Sequence, residues 1–440
     1  MTILAAQSGV NVKISDTELL ALIQQTLDKL GAQKFKKILL IPPDLTRGNS
    51  YAGPITAMLY KKLCSQCHID IIPALGTHAP MTEHELRVMF GPDIPLNVFK
   101  VHNWREDVVE VGTVSGRLIS EWSDGRLDYD VKVQVNKILF EDYDAIFSVG
   151  QVVPHEVVGM ANYTKNILVG VGGSDIINKS HFIGASCNME KIMGRADTPV
   201  RRLFNYGVKE FLGDLPITYM LTVMARNNDS GKMEMRGFFA GQGEDAYLEA
   251  VKLSQQTNLV LMDEPADKVV VFLDPEEFKS TWLGNKAVYR TRMMIADDGD
   301  LIILAPALKE FGEDKTNDAV IRKYGYKGTP TTLKAVRENA DLRENLGAAA
   351  HLIHGSSEGR FKITYCPGPN MSRAEIENAG FAYADYEETM RKYNVANLKD
   401  GYNMVNGEKI FYISTIFSVQ TSNKLKKFKW TQTRNKKTFI

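Results

Sequence analysis

The chain has 440 residues, 44% of them apolar and 24% charged, with 53 basic side chains balancing 53 acidic ones. Zero formal net charge supplies no global field to draw in nucleic acid or anionic lipid, and no apolar run approaches the ~20 residues that cross a bilayer. The length calls for two or three domains. The four cysteines are too few for a disulfide scaffold. The stretch MTILAAQSGVNVKISD has no basic segment leading into a long apolar one. The expectation is a cytoplasmic protein with neither nucleic-acid nor membrane partners.

In chain order, short β-rich runs alternate with longer amphipathic ones, the pattern of α/β layers. KKILLIPP (36–43) reads as a buried strand and AGPITAMLYKKLCSQC (52–67) as a helix. IDIIPALG (69–76) is the next strand, and MTEHELRVMFG (81–91) a helix opened by a Thr82–Glu85 capping box. DAIFSVG (144–150) is another buried strand. YMLTVMARNNDSGKMEMRGFFAG (219–241) reads as a hairpin turning at NNDSG, followed by a helix at GEDAYLEAVKLSQQT (243–257). Near DEPADK (263–268) the rhythm restarts with VVVFLD, WLGNKAVYRTRMM and DLIILAP, then two helical stretches and the strand FKITYCPG. The expected fold is α/β in two domains, 1–264 and 265–395, each a mostly parallel sheet flanked by helices, with the active site in the interdomain cleft. A terminal segment, 396–440, is set apart, its return to the first domain left open. Its residues 424–437 carry seven basic side chains and read as a solvated tail.

CSQCH (64–68) fits the haem-attachment spacing, but nothing suggests export. Cys64 and Cys67 close a helix whose apolar face includes Ile55, Met58 and Leu59, so they are expected as core or near-core thiols. More informative is a recurrence at strand ends. Asp44 and Arg47 follow the first strand in PPDLTRGN, His78 follows the second in LGTHAPMT, and His155 follows the strand at 144–150 in VGQVVPHE. Singly, each has a bland reading as a turn-former, a helix-start residue or a surface loop residue. In a parallel sheet, however, these loops share one edge and converge. Ten residues beyond His155, Lys165 sits in an apolar, glycine-rich run, where it either snorkels to water or is used chemically, since burying an ammonium is costly.

DLTR, GTHAPMTEHEL, GQVVPH, the lysine ten residues on and a histidine sixteen beyond it together resemble the nickel-dependent lactate racemases. The likeness has specific motifs over about 35–185 and is looser beyond. It implies a nickel pincer nucleotide tethered covalently at Lys165, loaded by cofactor-synthesis enzymes, with His181 as the protein ligand to nickel. It implies His78 and His155 as the two catalytic bases, one for each enantiomer, and a small 2-hydroxy acid as substrate. Soft sulfur donors with an imidazole suit nickel(II). Hydride transfer to the cofactor avoids a carbanion at C2 and passes through a 2-keto acid. Arg47 is expected to grip the substrate carboxylate, Asp44 to orient Arg47 or His78, and Lys286 to face the substrate from the second domain. Thr46 is placed on the cofactor side, and Gly172 and Gly173 are expected to let backbone amides approach its phosphate.

The chain departs from the family where small residues usually precede the lysine: here stand Asn162 and Tyr163. Leu283, Gly284 and Asn285 replace the usual glutamine context ahead of Lys286. Both changes favour a substrate larger or more polar than lactate, such as a sugar acid, over lactate itself. Two other classes stay open. His78, His155 and His181 could hold zinc for hydrolysis with Asp44 or Glu156 as base, or the scaffold could bind a small acid without turning it over.

Overall fold

The computed structural model describes residues 3–227, 230–414 and 419–422. It divides into two compact units, each built on a six-stranded sheet. The first takes the chain as far as Leu259 together with Thr332–Ile353, and the second Val260–Thr331 and the residues from His354 onward.

In the first unit the strands run in the order Ile3–Ser8, Met233–Gly241, Ile217–Arg226, Ala145–Gln151, Lys37–Ile41 and His68–Ile71. The last four pair in parallel, and the other two add antiparallel. Ile38, Leu39, Leu40 and Ile41 are all fully buried, the continuous apolar run of a strand covered on both faces. The helix Asp16–Leu30 has the same sequence signature as the one expected at 81–91: Ser15 and Glu18 form a capping box, and Gly31 at φ 68° ends it. The helix Glu83–Phe90 begins at the Thr82–Glu85 capping box. A separate antiparallel pair, Val108–Val114 with Val131–Asn136, lies outside the sheet order and supports the helix Ser174–Ser186.

In the second unit the order is Ala382–Tyr383, Lys362–Pro367, Ile295–Ala305, Ala266–Phe272, Glu408–Ile413 and Gly401–Val405, parallel except for the last pair. Two details differ from the sequence reading. The strands at 401–413 extend this second sheet rather than standing apart or returning to the first, because Glu408–Ile413 pairs with Ala266–Phe272. The helical stretch 332–353, expected in the second domain, groups with the first unit. The basic segment 424–437 lies outside the described residues. Cys64 is exposed and Cys67 half-buried, just past the helix Ala52–Leu63, so the first is a surface thiol rather than a core one.

Candidate active site

The parallel strands Lys37–Ile41 and His68–Ile71 stay in register past their ends, through a bridge between Pro43 and Ala74. That register brings Asp44 and His78 together, with His78 Nδ1 2.6 Å from Asp44 Oδ2. An ionised carboxylate only accepts, so His78 donates Nδ1–H to it, and the nitrogen left for other partners is Nε2. The Thr46 hydroxyl donates to the other oxygen of Asp44, which is where this residue, expected beside the cofactor, is engaged. Burial raises the Asp44 carboxyl, but the hydrogen bonds from His78 and Thr46 and the charges of His78 and Arg47 outweigh it and hold the group below its usual range. Arg47 is exposed, and among the described residues its guanidinium makes no hydrogen bond or ion pair.

The third loop is drier. His155 lies in a two-residue strand paired with Gly159–Met160. The backbone N–H of Val157 donates to His155 Nδ1 at 3.1 Å. That leaves Nδ1 without a proton and puts the ring hydrogen on Nε2. Burial pushes this imidazole down to about 3; Glu156, with an oxygen 3.7 Å from Nδ1, opposes the shift, while the charges of Lys165, Arg47 and His181 add to it. His155 is therefore neutral across the physiological range.

Lys165 opens a one-turn π-helix, Asn166–Gly170. The turn is fastened to the sheet by Asn166, whose amide donates to the Ile41 carbonyl and the Ser148 hydroxyl, both at 3.0 Å. Among the described residues the Lys165 amine makes no hydrogen bond or ion pair. Burial, then the charge of Arg47, lower it to about 8, with Glu156 and Asp44 opposing and Arg201 adding. His181 stands in the helix Ser174–Ser186 and donates Nδ1–H to the Ile177 carbonyl at 2.7 Å, so its Nε2 is bare. Burial lowers its pKa too. Residues 44, 47, 155, 165 and 181 thus share one electrostatic neighbourhood, with His78 joined to it through Asp44.

Three features were not legible beforehand. Asn162 and Tyr163 both have left-handed backbone, φ 63° and 58°, which costs a non-glycine residue about 1–2 kcal/mol each. Their side chains are buried, with Tyr163 stacked on Tyr247 at 4.9 Å and edge-on to Tyr219 at 4.4 Å. Both side chains pack into the interior of the first unit. Second, Arg201 is buried and spans this segment, donating to the carbonyls of Met160 and Asn162 and the hydroxyl of Thr164. Third, buried His102 donates Nε2–H to the Gly172 carbonyl at 3.0 Å and accepts from Asn136 at Nδ1.

The glycine run serves packing rather than anion binding. The amide of Gly172 donates to Val169 and that of Gly173 to the Gln134 carbonyl, at 3.3 and 3.0 Å. A Cβ on Gly172 would lie 1.8 Å from the Leu168 carbonyl oxygen, and one on Gly173 2.7 Å from Gln134. Lys286 begins a helix of the second unit, 3.4 Å from Glu277 Oε1. Asn285 beside it is fully buried and accepts from Tyr365. Among the described residues no three His, Cys, Asp or Glu side chains gather as a metal site, and His78, His155 and His181 are not such a group. The site does fit a group joined to a lysine and completed by one imidazole: Lys165 offers an unpartnered amine and His181 a bare Nε2.

Residues 12–193 match the lactate racemase N-terminal domain. No curated protein matches the chain. Its fold is similar to that of a Thermotoga maritima protein, at TM-score 0.77 and 22% identity over 94% of this chain and 100% of that one. It is also similar to the lactate racemase apoprotein of Thermoanaerobacterium thermosaccharolyticum, at TM-score 0.66 and 21% identity, covering 89% and 88%.

Proposed function

Residues 12–193 belong to the lactate racemase family through its N-terminal domain, and from that premise we propose that the chain is an isomerase inverting C2 of a 2-hydroxy acid. Lys165 would carry the nickel pincer nucleotide and His181 Nε2 would complete the metal's coordination. When bound, that group supplies a reversible hydride acceptor. The exposed, unpaired guanidinium of Arg47 binds the substrate carboxylate through two parallel hydrogen bonds. His78 takes the hydroxyl proton on Nε2, and Asp44 steadies the imidazolium that forms. His155 serves the other enantiomer. To accept a proton at Nε2 its ring must first carry its own proton at Nδ1 instead of Nε2, which gives up the Val157 N–H bond. Among these side chains Asp44 and His155 are the least exposed, while His78 and Arg47 stay open to incoming substrate.

The observation that supports this reading most is the Lys165 amine, half-buried, unpartnered and held at about 8 among imidazoles and Arg47. Asn162, Tyr163 and Asn285 are buried; as bulkier or more polar residues beside the lysines they favour a substrate larger or more polar than lactate, such as a sugar acid, over lactate itself, and both short and polyhydroxylated acids are to be screened. The test is the intact mass of the protein produced with and without the pincer-synthesis enzymes. A mass increment mapping to Lys165, with racemisation that needs nickel and is lost in Lys165→Ala, is expected. No increment and no racemisation in protein produced with those enzymes would sink the reading.

A further inference from the structure

We propose that Arg201 is the positioning residue of this site, holding Lys165 in place by clamping the left-handed turn at Asn162 and Tyr163. Arg201 is 1% exposed, yet among the described residues it makes no ion pair. It stands in the first turn of the helix Pro199–Phe211, where the helix dipole disfavours a cation. A cation there has to be held by what it bonds. Its guanidinium reaches the Met160 carbonyl at 2.6 Å, the Asn162 carbonyl at 3.2 Å and the Thr164 hydroxyl at 2.7 Å. Those three oxygens bracket the two left-handed residues and end one position before Lys165. The guanidinium carbon also lies 4.5 Å from the ring centre of Tyr247, on which Tyr163 stacks.

The polar chain runs on in one direction. Thr164 Oγ1 donates to Asn205 Oδ1 at 2.9 Å, and Asn205 Nδ2 donates to Glu244 at 2.8 Å. Thr198 anchors the other side: its hydroxyl accepts from the Arg201 N–H at 3.0 Å and donates to the Val158 carbonyl at 3.1 Å. The segment on either side of the turn is therefore fixed to one helix end. Planar, forked donors make this geometry, and an ammonium cannot reproduce it.

The proposal rests on the reading of Lys165 as the attachment point for its consequence, but not for its test. The full-length protein, produced without cofactor, is labelled with an amine-acylating reagent across pH, and modification is mapped to Lys165 by mass. In the wild type half-maximal labelling is expected near pH 8, where burial and Arg47 hold this amine. Arg201→Lys keeps the charge and loses the fork, and its profile should move up toward the ordinary lysine value of about 10.4 as the turn relaxes and the amine reaches water. Thr164→Val, which removes one contact and no charge, should move it the same way by less. Circular dichroism and thermal unfolding establish that each variant is folded. Folded variants with the wild-type labelling profile would overturn the proposal. If Arg201→Lys does not fold, Thr164→Val decides alone. A racemase reading that failed would leave the labelling result standing, and a failed labelling result would leave the racemase reading untouched.

Discussion

The two candidate bases are built differently. The side chain of His78 is 55% exposed and bonded to a carboxylate, whereas that of His155 is 12% exposed and bonded to a backbone amide. The first arrangement fixes Nδ1–H on the carboxylate and leaves Nε2 as the nitrogen that can gain or lose a proton. The second fixes Nε2–H and keeps the ring neutral by burial. Two residues of the same type, each following a strand of the parallel sheet, are thus held through different partners at Nδ1. The lesson is that the bond made at Nδ1 decides what the other nitrogen can do.

The largest test of that contrast is removal of each ring. His78→Ala and His155→Ala, in protein loaded with cofactor, should each lower turnover by about 10²–10⁴-fold, followed by chiral chromatography of the acid. Near-wild-type turnover in either one would break the pairing. Asp44→Asn sharpens it: the His78 ring loses its carboxylate acceptor, and turnover should fall about 100-fold with little change in KM.

Smaller effects belong to stability in the cofactor-free protein. The Lys165 amine has a folded value of about 8, below its ordinary 10.5. At pH 7 both states are charged and only the folded one bears the burial penalty. Lys165→Met should therefore stabilise by about 1–3 kcal/mol in urea melts, with the gain shrinking as pH rises from 8 to 10.5. His155 is likewise depressed, from 6.5 to about 3. Between those values the unfolded chain binds the extra proton, so stability should fall as pH falls through that window. His102 and His181 act in the same direction. His155→Gln should flatten part of the acid slope of the thermal midpoint, and a slope identical to wild type would contradict the burial of this ring.

Sequence carried the strand-end residues well, because a buried apolar run followed by a polar loop fixes where a parallel sheet presents its side chains. Asp44 and His78 meet as that logic requires. The Thr82 capping box is equally local, and the Ser15 one, which went unread, carries the same signature. What escaped was everything decided by long-range partners. Arg201 in TPVRR has the look of a surface helix residue until its hydrogen bonds to residues 160–164 are seen. The left-handed backbone of Asn162 and Tyr163, and hence their side-chain directions, is not written in the residues themselves. Gly172 and Gly173 lie close against the Leu168 carbonyl and Gln134, contacts that the glycine run alone does not specify.

Gly76, at φ 57°, donates its amide to the Gly170 carbonyl at 2.9 Å. The loop bearing His78 and the turn bearing Lys165 are therefore stitched together at one point. Any drift of the turn at Lys165 is passed to the loop at His78, so neither can be retuned alone. An engineer seeking a new substrate has to treat the two as a single moving part.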